Sequence, residues 1–82
     1  MDAIVIVKLK SSTLHGVPNA HVHLYQGTVD VTGVTDASGE FRHTFELPIL
    51  LNIEVTKDTL KGFGTIGLGD PGVDVTKTIY IY

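Results

Sequence analysis

Apolar and polar residues alternate along most of this chain. From Ala3 to Lys10 an extended run carries Ala3, Val5, Val7 and Leu9 on one face and Ile4, Ile6, Lys8 and Lys10 on the other. A period of two is that of a half-buried β-strand, and no window keeps the three-to-four spacing of an amphipathic helix. After the polar segment SSTLHGVPN, a second run turns Ala20, Val22 and Leu24 inward and His21, His23 and Tyr25 outward. Val29 and Val31 alternate in a third, where the isolated Gly33 predicts a bulge or a close backbone approach. Phe41, His43, Phe45 and Leu47 line a fourth and Leu51, Ile53 and Val55 a fifth, with Pro48, which cannot donate a ladder hydrogen bond, between them. KGFGTIGLG is a sixth, weakened by its glycines to a partly irregular edge, and VDVTKTIYIY closes with Val75, Ile79 and Ile81 inward.

Between the runs stand QGT, DASG, KDTL and DPG, each with turn chemistry of its own. In DASG, Asp36 is placed to bond the turn backbone and Gly39 to take a positive φ, which predicts a reversal that holds the third and fourth strands in register. In DPG, Pro71 and Gly72 suit the two corners of a tight turn. Seven short strands with regular turns and no crossover helix predict an all-β, seven-stranded antiparallel β-sandwich. Because successive strands reverse, the loops near His15, Asp36 and Asp58 belong at one end and those near Gly27, Pro48 and Asp70 at the other. The two lysines on the outer face of the first run suit an edge position.

At 82 residues the chain is a single domain, residues 1–82, with a modest stability margin. There is no cysteine, hence no disulfide, thiolate metal site or cysteine nucleophile. A net charge of −3, with six dispersed Lys and Arg, disfavours nucleic acid and anionic membranes as partners. The apolar stretch in MDAIVIVKLK is too short to span a bilayer and lacks the features of a signal peptide, so no membrane insertion is expected.

GVPNAHVHLY followed by GVTDASGEF resembles the carboxypeptidase regulatory-like domains. Gly16, Pro18, Ala20, Val22 and Leu24 match the first half of that pattern, and Thr35, Asp36, Gly39 and Phe41 the second, so the likeness covers residues 3–56. Prealbumin-like and collagen-adhesin B-type modules share it. The resemblance implies an Ig-like, prealbumin-like sandwich that is a non-catalytic structural or interaction module: a spacer or adhesion unit in a larger extracellular or cell-envelope assembly. In the adhesin modules a lysine of the first strand often joins an Asn or Asp of the last. Lys8 or Lys10, with Glu46 or Glu54 as the promoting acid, are the counterparts here, but the last strand has no Asn and Asp74 stands only at its start.

Four groups of residues invite chemistry. His21 and His23 project from one strand face, as histidines of a zinc site do, but two ligands do not make a site and solvated histidines are the expectation. Asp70 and Asp74 flank a turn where a hard cation would find oxygens, though with too few partners. Tyr25, Tyr80 and Tyr82 would together offer an aromatic surface to sugar rings, the alternative reading being a carbohydrate-binding module. Ile4 and Ile6, apolar on an outer face, predict a protein partner or self-association through an exposed first strand. His43, between two phenylalanines, reads as a core-edge imidazole bonded to backbone, and no Ser, Asp or Cys stands near it in a catalytic relation. No cofactor and no enzymatic activity are expected.

Overall fold

The computed structural model describes residues 1–82 and contains eight strands and no helix. They are β1 (Asp2–Leu9), β2 (Ser12–Gly16), β3 (His21–Gln26), β4 (Val29–Val34), β5 (Glu40–Thr44), β6 (Ile49–Lys57), β7 (Leu60–Leu68) and β8 (Val75–Ile81). The strand absent from the sequence reading is β2. Its residues from Ser12 to His15 are all exposed, so no inside and outside alternate along it, and it touches β1 only at Lys8 and Leu9 through an irregular register.

Two four-stranded sheets result. The first is built on β1, which runs parallel to β8 along Ala3–Leu9 and antiparallel to β5 along Asp2–Ile6. Since β8 takes one whole edge, β5 and β2 share the other, and Val7 bonds to both sides of that junction, donating to the Gly39 carbonyl (2.9 Å) and accepting from the Val17 amide (2.8 Å). The first strand is therefore the centre of its sheet, and its outward lysines do not mark an edge. The second sheet has the order β4-β3-β6-β7, antiparallel throughout.

The inner faces meet in one core of 14 buried residues. Val5 and Val7 of β1 and Ile79 and Ile81 of β8 face Val22 and Leu24 of β3 and Leu51, Ile53 and Val55 of β6, all 3% exposed or less. These are positions that the period of two assigns to the interior. β7 adds Ile66 and Leu68, and it is a full nine-residue strand despite its glycines. Two of the glycines have a packing reason: a Cβ on Gly62 would lie 2.5 Å from the Tyr80 carbonyl oxygen and 2.8 Å from Ile79 Cγ2, and one on Gly64 2.6 Å from Ile79 Cδ1. Their absence lets β7 close onto β8, where Lys61 and Tyr82 exchange both backbone hydrogen bonds (3.3 and 3.2 Å) and join the two sheets along one side.

The loops sort as the reversals require. The turns after β3, β5 and β7 lie at the end where β1 begins, and those after β4 and β6 at the end where it finishes.

Candidate functional site

The segment TDASG sits between β4 and β5, which lie in different sheets and do not pair. It is thus a crossing from one layer to the other, not the hairpin the local turn chemistry suggested. The turn itself forms as its residues dictate. Asp36 Oδ1 accepts from the Ser38 amide (2.9 Å), the Ser38 hydroxyl (2.7 Å) and the Glu40 amide (3.0 Å), and Gly39 takes φ = 84°. These donors, the Glu40 amide foremost and then Ser38, hold the Asp36 carboxyl below the ordinary value of 3.8.

The two halves of the sequence motif meet here. Gly16 and Gly39 lie back to back, so that a Cβ on Gly39 would stand 2.6 Å from both Gly16 Cα and Val17 N, and one on Gly16 would strike the Ser38 carbonyl. Beside them Thr35, 2% exposed, donates its hydroxyl to the Val17 carbonyl (2.6 Å) and accepts from the Ala20 amide (3.0 Å). The Thr35 amide donates to the Ala20 carbonyl (3.0 Å) and the Asn19 amide to the Thr35 carbonyl (3.1 Å). Asn19 holds φ = 57°, a left-handed conformation that asparagine tolerates. Gly33 makes the close approach expected of it: its bare Cα lies under the Phe41 ring, which packs across from the other sheet. These residues form a clasp between the layers, and no buried side-chain polar atom in it lacks a hydrogen-bond partner.

The other candidates are dispersed. His21, His23 and Tyr25 share the outer face of the second sheet. His23 donates Nε2–H to Asp30 Oδ1 (2.6 Å) and stacks on Tyr25 with ring centroids 4.6 Å apart. Glu54 is the cross-strand neighbour of His23 on β6, yet no three His, Asp or Glu side chains are arranged to hold a metal ion. Tyr80 and Tyr82 lie on the outer face of the first sheet, the opposite side of the molecule, so the three tyrosines do not form a common surface. Lys10 Nζ stands 4.4 Å from the centre of the Tyr82 ring and occupies the face a sugar would need.

Ile4 is only 8% exposed and Ile6 is half-buried, which corrects the expectation of an open apolar first strand. Ile4 sits in a central strand between its cross-strand neighbours Arg42 and Thr76. Arg42 reaches past it to Asp2 Oδ2 (2.9 Å), with Glu40 and Asp74 each 3.7 Å from the guanidinium. The Thr44 hydroxyl (2.6 Å) and then Arg42 hold the Asp2 carboxyl below 3.8, and Asp2 in turn raises Arg42.

Asp74 accepts from the Asp2 amide (2.9 Å), so it anchors the start of β8. Asp70 closes a tight turn with Val73 (3.1 Å) and Gly72 at φ = 78°, as Pro71-Gly72 predicts. Lys8 points outward on the first sheet and Glu54 outward on the second, which separates the residues that a lysine cross-link would need. His43 is exposed and packs edge-on against Phe45 (5.0 Å), and its imidazole makes no hydrogen bond to the backbone, unlike the bonded ring expected. Leu47 lies beyond the end of β5 and is 75% exposed.

The molecule has one hollow, of about 300 Å³, lined by Val29, Phe45, Glu46, Leu47, Pro48 and Ile49. It opens between the start of β4 and the end of β5, and the alternation along the chain gives no sign of it because its walls come from two strands, β4 and β6, and the loop between β5 and β6. A search against family models finds none that matches this chain, and no curated protein matches it either.

Proposed function

We propose that this protein is a non-catalytic structural and interaction module, a prealbumin-like, Ig-like sandwich of the carboxypeptidase regulatory-like kind, working through contacts with other polypeptides in a larger assembly. The observation that carries this reading is how the motif is spent. Thr35, Gly16 and Gly39 are engaged in fastening one sheet to the other, and Asp36 in closing the turn that carries the chain between them. A mechanism needs an acid, a base or a nucleophile converging on one point. Here His23 with Asp30, His43 with Phe45, and Arg42 with its carboxylates lie on different surfaces.

What remains exposed suits contact. The outer face of the second sheet presents Tyr25, Val34, Leu50 and Phe63, each at least 36% exposed, among His21, His23 and Glu54. Aromatic residues on a rigid scaffold give contact area at little entropic cost. A role in a cell-surface or secreted assembly rests on the likeness of the motif to such modules.

Site-specific photo-crosslinking in the native host tests the reading, with the reactive residue placed in turn at Tyr25, Phe63, Tyr82 and Leu47. Adducts to another polypeptide from at least one face are expected. Glycan adducts alone, no adduct from any face, or saturable turnover of an ester, phosphoester, peptide or glycoside substrate would overturn it.

A further inference from the structure

The sandwich is shut on one side, where Lys61 and Tyr82 exchange hydrogen bonds, and open on the other, where the edges of β4 and β5 face each other without pairing. Five of the nine apolar residues only partly covered by the core, Val29, Val31, Phe41, Phe45 and Ile49, belong to the open side or its rim. The hollow of about 300 Å³ lies at the same place, between Val29, Phe45 and Ile49. Incomplete burial, an apolar hollow and an unpaired strand edge coincide.

The β4 edge is regular enough to template another strand. Gln26 and Val29 close a two-residue turn and make a hydrogen-bonded pair, so Val29, Val31 and Gly33 direct their backbone groups to β3. Asp30, Thr32 and Val34 therefore aim their N–H and C=O groups outward, in a six-residue strand with no proline, lysine or bulge to blunt it. The β5 edge offers less, because the Glu40 amide is already given to Asp36.

Charge says what fits. Asp30, whose Oδ1 holds His23 while its side chain stays 69% exposed, and Glu46 at the hollow line this side. None of the five lysines lies on β4, on β5 or around the hollow, and the Arg42 guanidinium is turned to the outer face of the first sheet among Asp2, Glu40 and Asp74. A second copy would bring another Asp30 to the same edge and another net charge of −3.

We propose that β4 receives an extended basic segment of a partner protein as the fifth strand of the second sheet, with an apolar side chain filling the hollow and flanking lysine or arginine meeting Asp30 and Glu46. The proposal rests on the interaction-module reading and names the surface and the chemistry of its partner. Backbone pairing supplies the affinity, and the hollow and the two carboxylates supply the choice of sequence.

The test is titration of the ¹⁵N-labelled protein with two synthetic peptides, acetyl-Lys-Val-Thr-Val-Lys-Val-amide and its counterpart with Glu in place of Lys. The lysine peptide is expected to shift the amides of Asp30, Thr32, Val34, Phe45 and Ile49 saturably and to bind at least about tenfold more tightly than the glutamate peptide. Thr32→Pro removes an outward N–H without touching the β3 ladder, and should abolish the shifts while the spectrum stays dispersed. Phe63→Ala, on the outer face, should leave them unchanged. Should Thr32→Pro fail to fold, Asp30→Lys provides the second readout by reversing the preference between the peptides.

No saturable shift up to about 1 mM, shifts centred on another surface, equal affinity for the two peptides, or a dimer sealed through β4 in sedimentation would overturn the proposal. Crosslinks from Tyr25, Phe63 or Tyr82 that persist in that case would show that only this surface assignment had failed.

Discussion

Thr35 is the residue on which the joining of the two sheets turns. Its hydroxyl is buried and both bonded groups, the Val17 carbonyl and the Ala20 amide, depend on it. Thr35→Val keeps the shape and strands both partners, so it should lower stability by roughly 1–3 kcal/mol in urea unfolding. Gly39→Ala adds a clash with backbone atoms to an unfavourable positive φ, and should cost about 2 kcal/mol or more. Asp36 and Asp2 make a prediction in pH. Both carboxyls are depressed in the folded state, so their contribution is complete above the ordinary value of 3.8 and is lost as pH falls through the lower folded values. Tm should hold steady above about pH 5 and decline from about pH 4 downward, less steeply in Asp36→Asn.

At the scale of the elements, the sequence is most legible where a strand has one wet and one dry face. Ala3–Leu9, Ala20–Leu24 and Leu51–Val55 are placed by alternation alone, and Val5, Val22 and Ile53 are buried as expected. β2 is illegible because both its faces are exposed. The glycines of β7 mislead because propensity counts them as weakness, whereas Gly62 is where β8 comes close. That role is testable: Gly62→Ala should loosen the seam and speed amide exchange at Lys61 and Tyr82, leaving the β3–β6 ladder slow. DASG carries turn chemistry that fixes a reversal of the chain but not the sheet the next strand joins, which depends on contacts distant in sequence. The partners of β5 are residues of β1, at the far end of the chain segment from it.

For the whole molecule, alternation separates inside from outside and says nothing about which layer a strand enters. This is why Tyr25 reads as a neighbour of Tyr80 and Tyr82 yet stands on the opposite side, and why Ile4 reads as open yet is covered in a central strand. His21 and His23 are correctly placed on one face, since that needs only the period of two, while the Asp30 that binds His23 arrives through strand pairing. The hollow and the open edge of β4 follow from an asymmetry of closure that no local pattern encodes.

Native-state hydrogen exchange across the sheet junction reads out whether the motif residues clasp the two sheets together. The amides of Val7, Val17, Ala20, Thr35 and Gly39 are expected to exchange only with global unfolding, as slowly as those of Leu24 and Ile53. Exchange of these five as fast as the amides of exposed loops, with the β3–β6 ladder still protected, would contradict the account.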